Sequence, residues 1–191
     1  MDSGWKQEIF DKIVFEISKC ASCELYKTRT NPVPGEGNLC SRIMLVGEGP
    51  GANEDKIGKP FVGDAGKILN GLLFSIGLTR EDVFIGNTVK CRPPHNRTPY
   101  STEIDACRPF LVSQISLIAP KIIVILGNAA LISLLGNGYS ISKVRGNLIN
   151  VDGIFFFPTF HPAAALYRRE VLDIIQADFL KLQKINKGLL V

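Results

Sequence analysis

Four short apolar runs punctuate the chain, and each stops at turn-forming residues. Arg42-Ile43-Met44-Leu45-Val46 ends at Gly47, Asp82-Val83-Phe84-Ile85 at Gly86-Asn87, Lys121-Ile122-Ile123-Val124-Ile125-Leu126 at Gly127-Asn128, and Ile154-Phe155-Phe156-Phe157 at Pro158. Unbroken apolar runs of this length predict strands buried on both faces, as in a parallel sheet. The stretches between them carry a helical period. Leu69, Leu72, Leu73 and Ile76 recur at i, i+3, i+4 and i+7, while Ile104, Cys107, Leu111, Ile115 and Ile118 line one face of a segment closed by Pro120. Ile9, Ile13, Phe15 and Ile17 mark a first helix, and a last one is predicted from about Arg169 to Lys184. Asn150-Val151-Asp152-Gly153 reads as a tight turn leading into the last strand. The order βαβαβαβ predicts an α/β fold, three layers αβα around a central four-stranded parallel sheet.

Ligands of such sheets gather beyond the carboxyl ends of the strands. The candidate site therefore comprises Gly47 to Asp55, Gly86 to Asn87, Gly127 to Asn128 and Pro158 to Leu166, all rich in Gly, Pro, Asn, Glu or His. These residue types approach ligands closely or bond to them, although Gly and Asn also end strands for structural reasons alone.

A chain of 191 residues with 46% hydrophobic content buries one core, so residues 1–191 are expected to form a single domain. No stretch reaches the roughly eighteen apolar residues of a membrane span, and Met1-Asp2-Ser3-Gly4-Trp5-Lys6 has no basic region followed by an apolar core. A soluble, intracellular protein is expected, with no membrane partner. Lys and Arg outnumber Asp and Glu by 22 to 18, a net +4 that suits a phosphate-bearing partner without demanding one.

Five cysteines, an odd number, argue for reduced or metal-bound thiols rather than disulfides. Cys20-x-x-Cys23, with Cys91 and Cys107 farther along, suits a tetrahedral zinc or a 4Fe-4S cluster, and spacing does not choose between them. Cys40 stands apart and reads as a packing residue. Gly47-Glu48-Gly49-Pro50-Gly51-Ala52 formally matches a dinucleotide fingerprint, but residues 53–60 offer no apolar helical period and no acidic residue follows the next strand. Gly58-Lys59-Pro60 is no P-loop, because Pro60 stands where Ser or Thr must bind magnesium. A zinc deaminase needs an H-x-E segment and a P-C-x-x-C, and neither occurs.

Taken together, Gly47-Glu48-Gly49-Pro50-Gly51, Glu54-Asp55, Gly58-Lys59-Pro60-Phe61-Val62-Gly63, Asn87, Cys91-Arg92-Pro93-Pro94 and His161-Pro162-Ala163-Ala164 resemble, in order and spacing, the type-4 uracil-DNA glycosylases of bacteria and archaea. The resemblance runs from Cys20 to the last helix. It implies a uracil-DNA glycosylase-like fold, hydrolysis of the N-glycosidic bond of a flipped-out uracil, initiation of base excision repair, and a 4Fe-4S cluster held by Cys20, Cys23, Cys91 and Cys107. Uracil-containing DNA is the implied partner, and one domain of this size can work as a monomer near the nucleoid.

The same resemblance assigns roles. Phe61 stacks on the uracil ring. The Asn87 amide donates to O4 and accepts from N3-H, a pattern that cytosine reverses. His161 donates to O2, where charge builds as the bond to C1′ breaks. Backbone N–H groups around Glu48 and Gly49 hold the base, and Glu54 near the C5 edge helps exclude the methyl of thymine. Gly49 stands where better-known uracil glycosylases carry an Asp, so no general base is assigned by that match; Glu48, Glu54 and Asp55 are the nearby carboxylates. Leu166 is the expected minor-groove wedge, with Arg168 or Arg169 on phosphate and the loop Arg92 to Arg97 facing DNA. The family usually has an Arg close behind its apolar residues, whereas Tyr167 intervenes here.

Overall fold

The computed structural model describes residues 4–188, so residues 1–3, read above for a leader, lie outside it. Its centre is a sheet of six strands in the order β1-β3-β2-β4-β6-β5. The strands are β1 (Glu36–Gly37), β2 (Ile43–Gly47), β3 (Phe84–Asn87), β4 (Ile122–Leu126), β5 (Ile149–Val151) and β6 (Ile154–Thr159). The four runs predicted from the apolar pattern are β2, β3, β4 and β6, which pair in parallel. The sheet exceeds the expected four strands because two short antiparallel strands close its edges. These could not be read from hydrophobicity: β1 is only two residues long, and Ile149-Asn150-Val151 is only partly covered. Asp152 (φ 49°) and Gly153 (φ 83°) form the predicted turn, which makes β5 and β6 a hairpin.

Side chains of the central strands alternate between two cores, as a two-residue period requires. Ile43, Leu45, Ile85, Ile122, Val124, Leu126 and Phe157 pack on one face with α3 (Asp64–Ser75) and α7 (Arg169–Gly188), through Leu69, Leu72, Leu73, Val171, Ile175 and Phe179. Met44, Val46, Phe84, Ile123, Ile125 and Phe156 pack on the other with α4 (Ser101–Ile118) and α5 (Asn128–Leu135), joined by Phe10 of α1 (Gly4–Lys19) and by α6 (Ile141–Val144). This is the three-layer αβα arrangement. Among the described residues, no helix is long and apolar enough to cross a membrane.

One local expectation fails. Residues 52–57 form a short helix, α2 (Ala52–Ile57), despite lacking an apolar period. Tertiary hydrogen bonds and a glycine stop support it instead. The buried Asp55 carboxylate accepts from the Thr30 amide at 2.9 Å, Asn31 donates to the Asp55 and Lys56 carbonyls, and Gly58 ends the helix in the left-handed region at φ 77°.

Candidate active site

The carboxyl ends of β2, β3 and β6 converge on a cavity of about 300 Å³. Glu48, Gly49 and Glu54 come from the segment after β2, Asn87 from the end of β3, and His161 and Ala163 from the segment after β6. Phe61, from the loop before α3, forms another wall, and Pro93, Asn96 and Arg97 border the cavity from the loop after β3. The structure thus brings together Glu48, Gly49, Glu54, Phe61, Asn87 and His161. The end of β4 contributes no lining residue. Instead Gly127 (φ +94°) backs His161: a Cβ there would lie 3.0 Å from the His161 Cβ.

Each polar group in the cavity has a definable state. Asn87 is 2% exposed, and its Oδ1 is buried without a hydrogen-bond partner. An orphaned acceptor of this kind is costly unless a ligand satisfies it. His161 Nδ1 accepts from the Ala163 amide at 3.1 Å, which leaves the ring proton on Nε2 as a donor. Burial pulls the imidazole down to about 4, against the opposing pull of Glu54, so the ring is neutral at pH 7. Burial pushes the Glu48 carboxyl above its ordinary value, against a hydrogen bond from Thr98.

The loop carrying Phe61 is held from two sides. Glu54 Oε1 accepts from the amides of Val62 (2.8 Å) and Gly63 (2.9 Å), so this carboxylate is committed at least in part to the backbone. Phe61 has φ 51°, is 6% exposed, and lies stacked on His161 with ring centroids 5.5 Å apart. A third ring does not fit between them, since two successive van der Waals contacts need about 7 Å. Close approach favours glycine at two positions, one beside the cavity and one lining it. A Cβ at Gly47 would lie 2.6 Å from Asn87 Oδ1, and one at Gly49 would lie 2.8 Å from Val89 Cγ2, so either would force its neighbour to shift.

Residues expected to meet DNA lie outside this enclosure or on its rim. Leu166, at the end of the 3-10 turn Pro162–Leu166, is 47% exposed, and the neighbouring Tyr167 is 86% exposed. Arg168 is exposed beside Glu170 at 3.4 Å. Arg92 Nε donates to Asn96 Oδ1 at 2.8 Å. Arg97 makes a two-pronged ion pair with Glu103 (2.7 and 2.8 Å) and covers the ring of Tyr100, so its charge is already matched within the protein.

A second, smaller recess is lined by Cys20, Cys23, Cys91 and Cys107. Burial raises the thiols of Cys23, Cys91 and Cys107, the last to about 11. Arg29 Nη1 donates to Cys91 Sγ at 3.1 Å, and the Lys90 amide donates to Cys107 Sγ at 3.3 Å. Yet among the described residues no three Cys, His, Asp or Glu side chains are drawn close enough to hold a single ion. Cys40, expected to pack, is exposed instead, in a turn where its amide bonds to Asn38 Oδ1 at 2.8 Å.

Lys90 joins the two recesses. It is 1% exposed, and its ammonium donates to the Asn87 carbonyl and to Gln114 Oε1, both at 2.7 Å. Burial lowers it to about 8, against the pull of Cys107. Sequence reasoning missed this lysine, together with Arg80 and Glu36 beneath Phe61 and the Arg145–Asp178 pair that holds Thr159 Oγ1 at the end of β6. The only available signal was local: Thr79 and Asp82 form a capping box around Arg80.

Comparison with known proteins agrees with this geometry. The family model for the uracil DNA glycosylase superfamily matches residues 34–187. The type-4 uracil-DNA glycosylase of Sulfurisphaera tokodaii is 49% identical over 184 residues, covering 92% of this chain and 84% of the relative. That of Thermotoga maritima is 48% identical over 186 residues, covering 95% and 97%. The type-5 uracil-DNA glycosylase of Pyrobaculum aerophilum is more distant, at 29% over 194 residues. A match across most of the chain, on a fold whose strand ends build one polar cavity, means that this chain belongs to the uracil DNA glycosylase superfamily, alongside its type-4 members.

Proposed function

We propose that the protein excises uracil from DNA by hydrolysing the N-glycosidic bond, leaving an abasic site for base excision repair. The observation that carries this reading is the buried, unpartnered Asn87 Oδ1 in the same cavity as the Nε2 donor of a neutral His161. Uracil supplies a donor at N3 and acceptors at O4 and O2. Asn87 Oδ1 accepts from N3-H while its amide nitrogen donates to O4, and cytosine reverses both requirements. The base lies against Phe61 rather than between the two rings.

Duplex stacking hides the target base, so the nucleotide must first leave the helix. Leu166 is the wedge that supports the flipped state, and Arg168 and Arg92 sit near phosphate. Arg97, already paired with Glu103, shapes the cavity rim more than it binds phosphate. As the bond from C1′ to N1 breaks, its electron pair passes to the base and negative charge accumulates at O2. The neutral His161 donates to that oxygen, with backbone amides around Glu48 and Gly49 adding support. Water then adds to C1′ and loses a proton. No residue is assigned as its base; Glu48 and Glu54 are the half-buried carboxylates that line the cavity.

Four cysteines around one recess, in a chain similar to type-4 uracil-DNA glycosylases, suit a 4Fe-4S cluster. Such a cluster supplies a structural tether. Cys20 and Cys23 would attach the end of α1 to Cys91 after β3 and Cys107 on α4, ordering the loop Arg92 to Arg97. The enzyme is taken to act as a monomer, and its DNA substrate to be that of the nucleoid.

The test is a labelled oligonucleotide carrying one uracil, thymine, cytosine or hypoxanthine, incubated with the protein and then treated with alkali. Cleavage at uracil alone is expected. Cleavage at hypoxanthine or thymine would replace this reading with a broader glycosylase, and no cleavage by cluster-loaded protein would leave a nucleic-acid-binding module.

A further inference from the structure

Phe61 adopts a backbone conformation that a bulky side chain rarely takes, with φ 51°. Such a conformation persists only where the surroundings over-determine it. The determining group is Arg80. Its Nη2 donates to the Pro60 carbonyl at 2.7 Å and its Nη1 to the Phe61 carbonyl at 3.2 Å. The same guanidinium is anchored by Glu36 Oε1, at 2.6 Å from Nη2 and 3.2 Å from Nε, and by Asn70 Oδ1 at 3.2 Å. Only a planar fork can serve two adjacent carbonyls and a carboxylate at once.

We infer that Arg80, oriented by Glu36, is a positioning residue for uracil recognition: it locks the Pro60–Phe61 backbone so that the Phe61 ring is presented to the base before the base arrives. The inference rests on the proposed excision of uracil. Glu36 lies on β1, in register with Ile85 of β3, the strand that ends at Asn87. Through this pair, the stacking ring and the amide that reads the base edge are referenced to one strand. Glu54 completes the clamp from the opposite side by binding the amides of Val62 and Gly63. Two side chains therefore satisfy carbonyls and amides across four consecutive residues, and a locked ring loses little freedom on binding.

The experiment compares wild type, R80M, R80K, F61A and the R80M/F61A double variant, all cluster-loaded, for kcat, KM and inhibition by free uracil. If Arg80 acts through Phe61, R80M weakens inhibition by uracil about tenfold, a loss of the size of one base–aromatic stack. F61A shows the same loss, the double variant is no worse than F61A within about twofold, and R80K recovers part of it because one carbonyl contact and the Glu36 pair survive. Losses that multiply in the double variant, or unchanged uracil inhibition in R80M, would overturn the inference. Where R80M does not fold, as judged by visible absorbance and melting, E36Q replaces it, with a smaller loss expected that likewise vanishes on the F61A background. Absence of uracil excision by wild type would remove the proposed function itself, and this inference with it, whereas an active wild type with additive variants removes only the inference.

Discussion

The uracil pocket and the cysteine recess lie at either end of residues 87–91, yet they are held in opposite ways. In the pocket several of the proposed recognition groups are held by the protein itself: Glu54 and Arg80 grip the Phe61 loop, the Ala163 amide fixes the His161 tautomer, and Gly47 leaves room for Asn87. The recess has four sulfurs around one space but only scattered contacts, such as Arg29 on Cys91 and the Lys90 amide on Cys107. The first is organised before its ligand arrives. The second would be closed by the proposed cluster, as metal sites coupled to folding are. Catalytic power and stability should therefore separate cleanly between them.

The largest effect expected on the pocket side is His161→Leu, which removes the donor to O2. Single-turnover excision should fall on the order of 10² to 10³ while visible absorbance is unchanged. On the recess side, Cys91→Ser or removal of iron by a chelator should lower the unfolding temperature by about 5 °C or more. Hydrogen exchange should then speed up near Cys20, Cys23 and the loop Arg92 to Arg97 before it does in the central sheet.

A third contrast uses pH. His161 titrates near 4 in the folded protein, below the ordinary histidine value of roughly 6.5. Between those values the unfolded chain binds the proton that the folded chain refuses. His161 therefore contributes stability that is present above about 6.5 and lost as pH falls toward 4. NMR of the imidazole should report a neutral ring with its proton on Nε2 from neutral pH down to about 5, and a ring charged at pH 6 would contradict the burial argument. The smallest effects belong to the rim. Leu166→Ala should slow excision from duplex about three- to tenfold with little change on single strands, and Arg168→Ala should weaken DNA binding while lowering its salt dependence by about one ion.

Local patterns made part of this legible. The central strands are continuous apolar runs, so their two-faced burial and the positions of Gly47, Asn87 and His161 after them followed from periodicity. The edge strands did not, because Glu36-Gly37 and Ile149 to Val151 gain their pairing from neighbours rather than from an apolar pattern of their own. The helix over residues 52–57 was missed because hydrogen bonds to residues 30 and 31 and the Gly58 stop support it without an apolar face. The clamps were invisible for another reason. Arg80 meets Glu36 across 44 residues and Arg145 meets Asp178 across 33, and contacts at such separations carry no local period. Glu54, expected at the edge of the base, binds the backbone amides of residues 62 and 63.

The most direct test of the account is single-turnover excision of uracil by wild type and Asn87→Ala, with the visible spectrum and melting temperature recorded on the same samples. The account predicts excision slowed by about a hundredfold in the variant, with cluster absorbance and melting nearly unchanged. Excision at the wild-type rate by a folded, cluster-loaded Asn87→Ala protein would mean that the orphaned amide does not read the base.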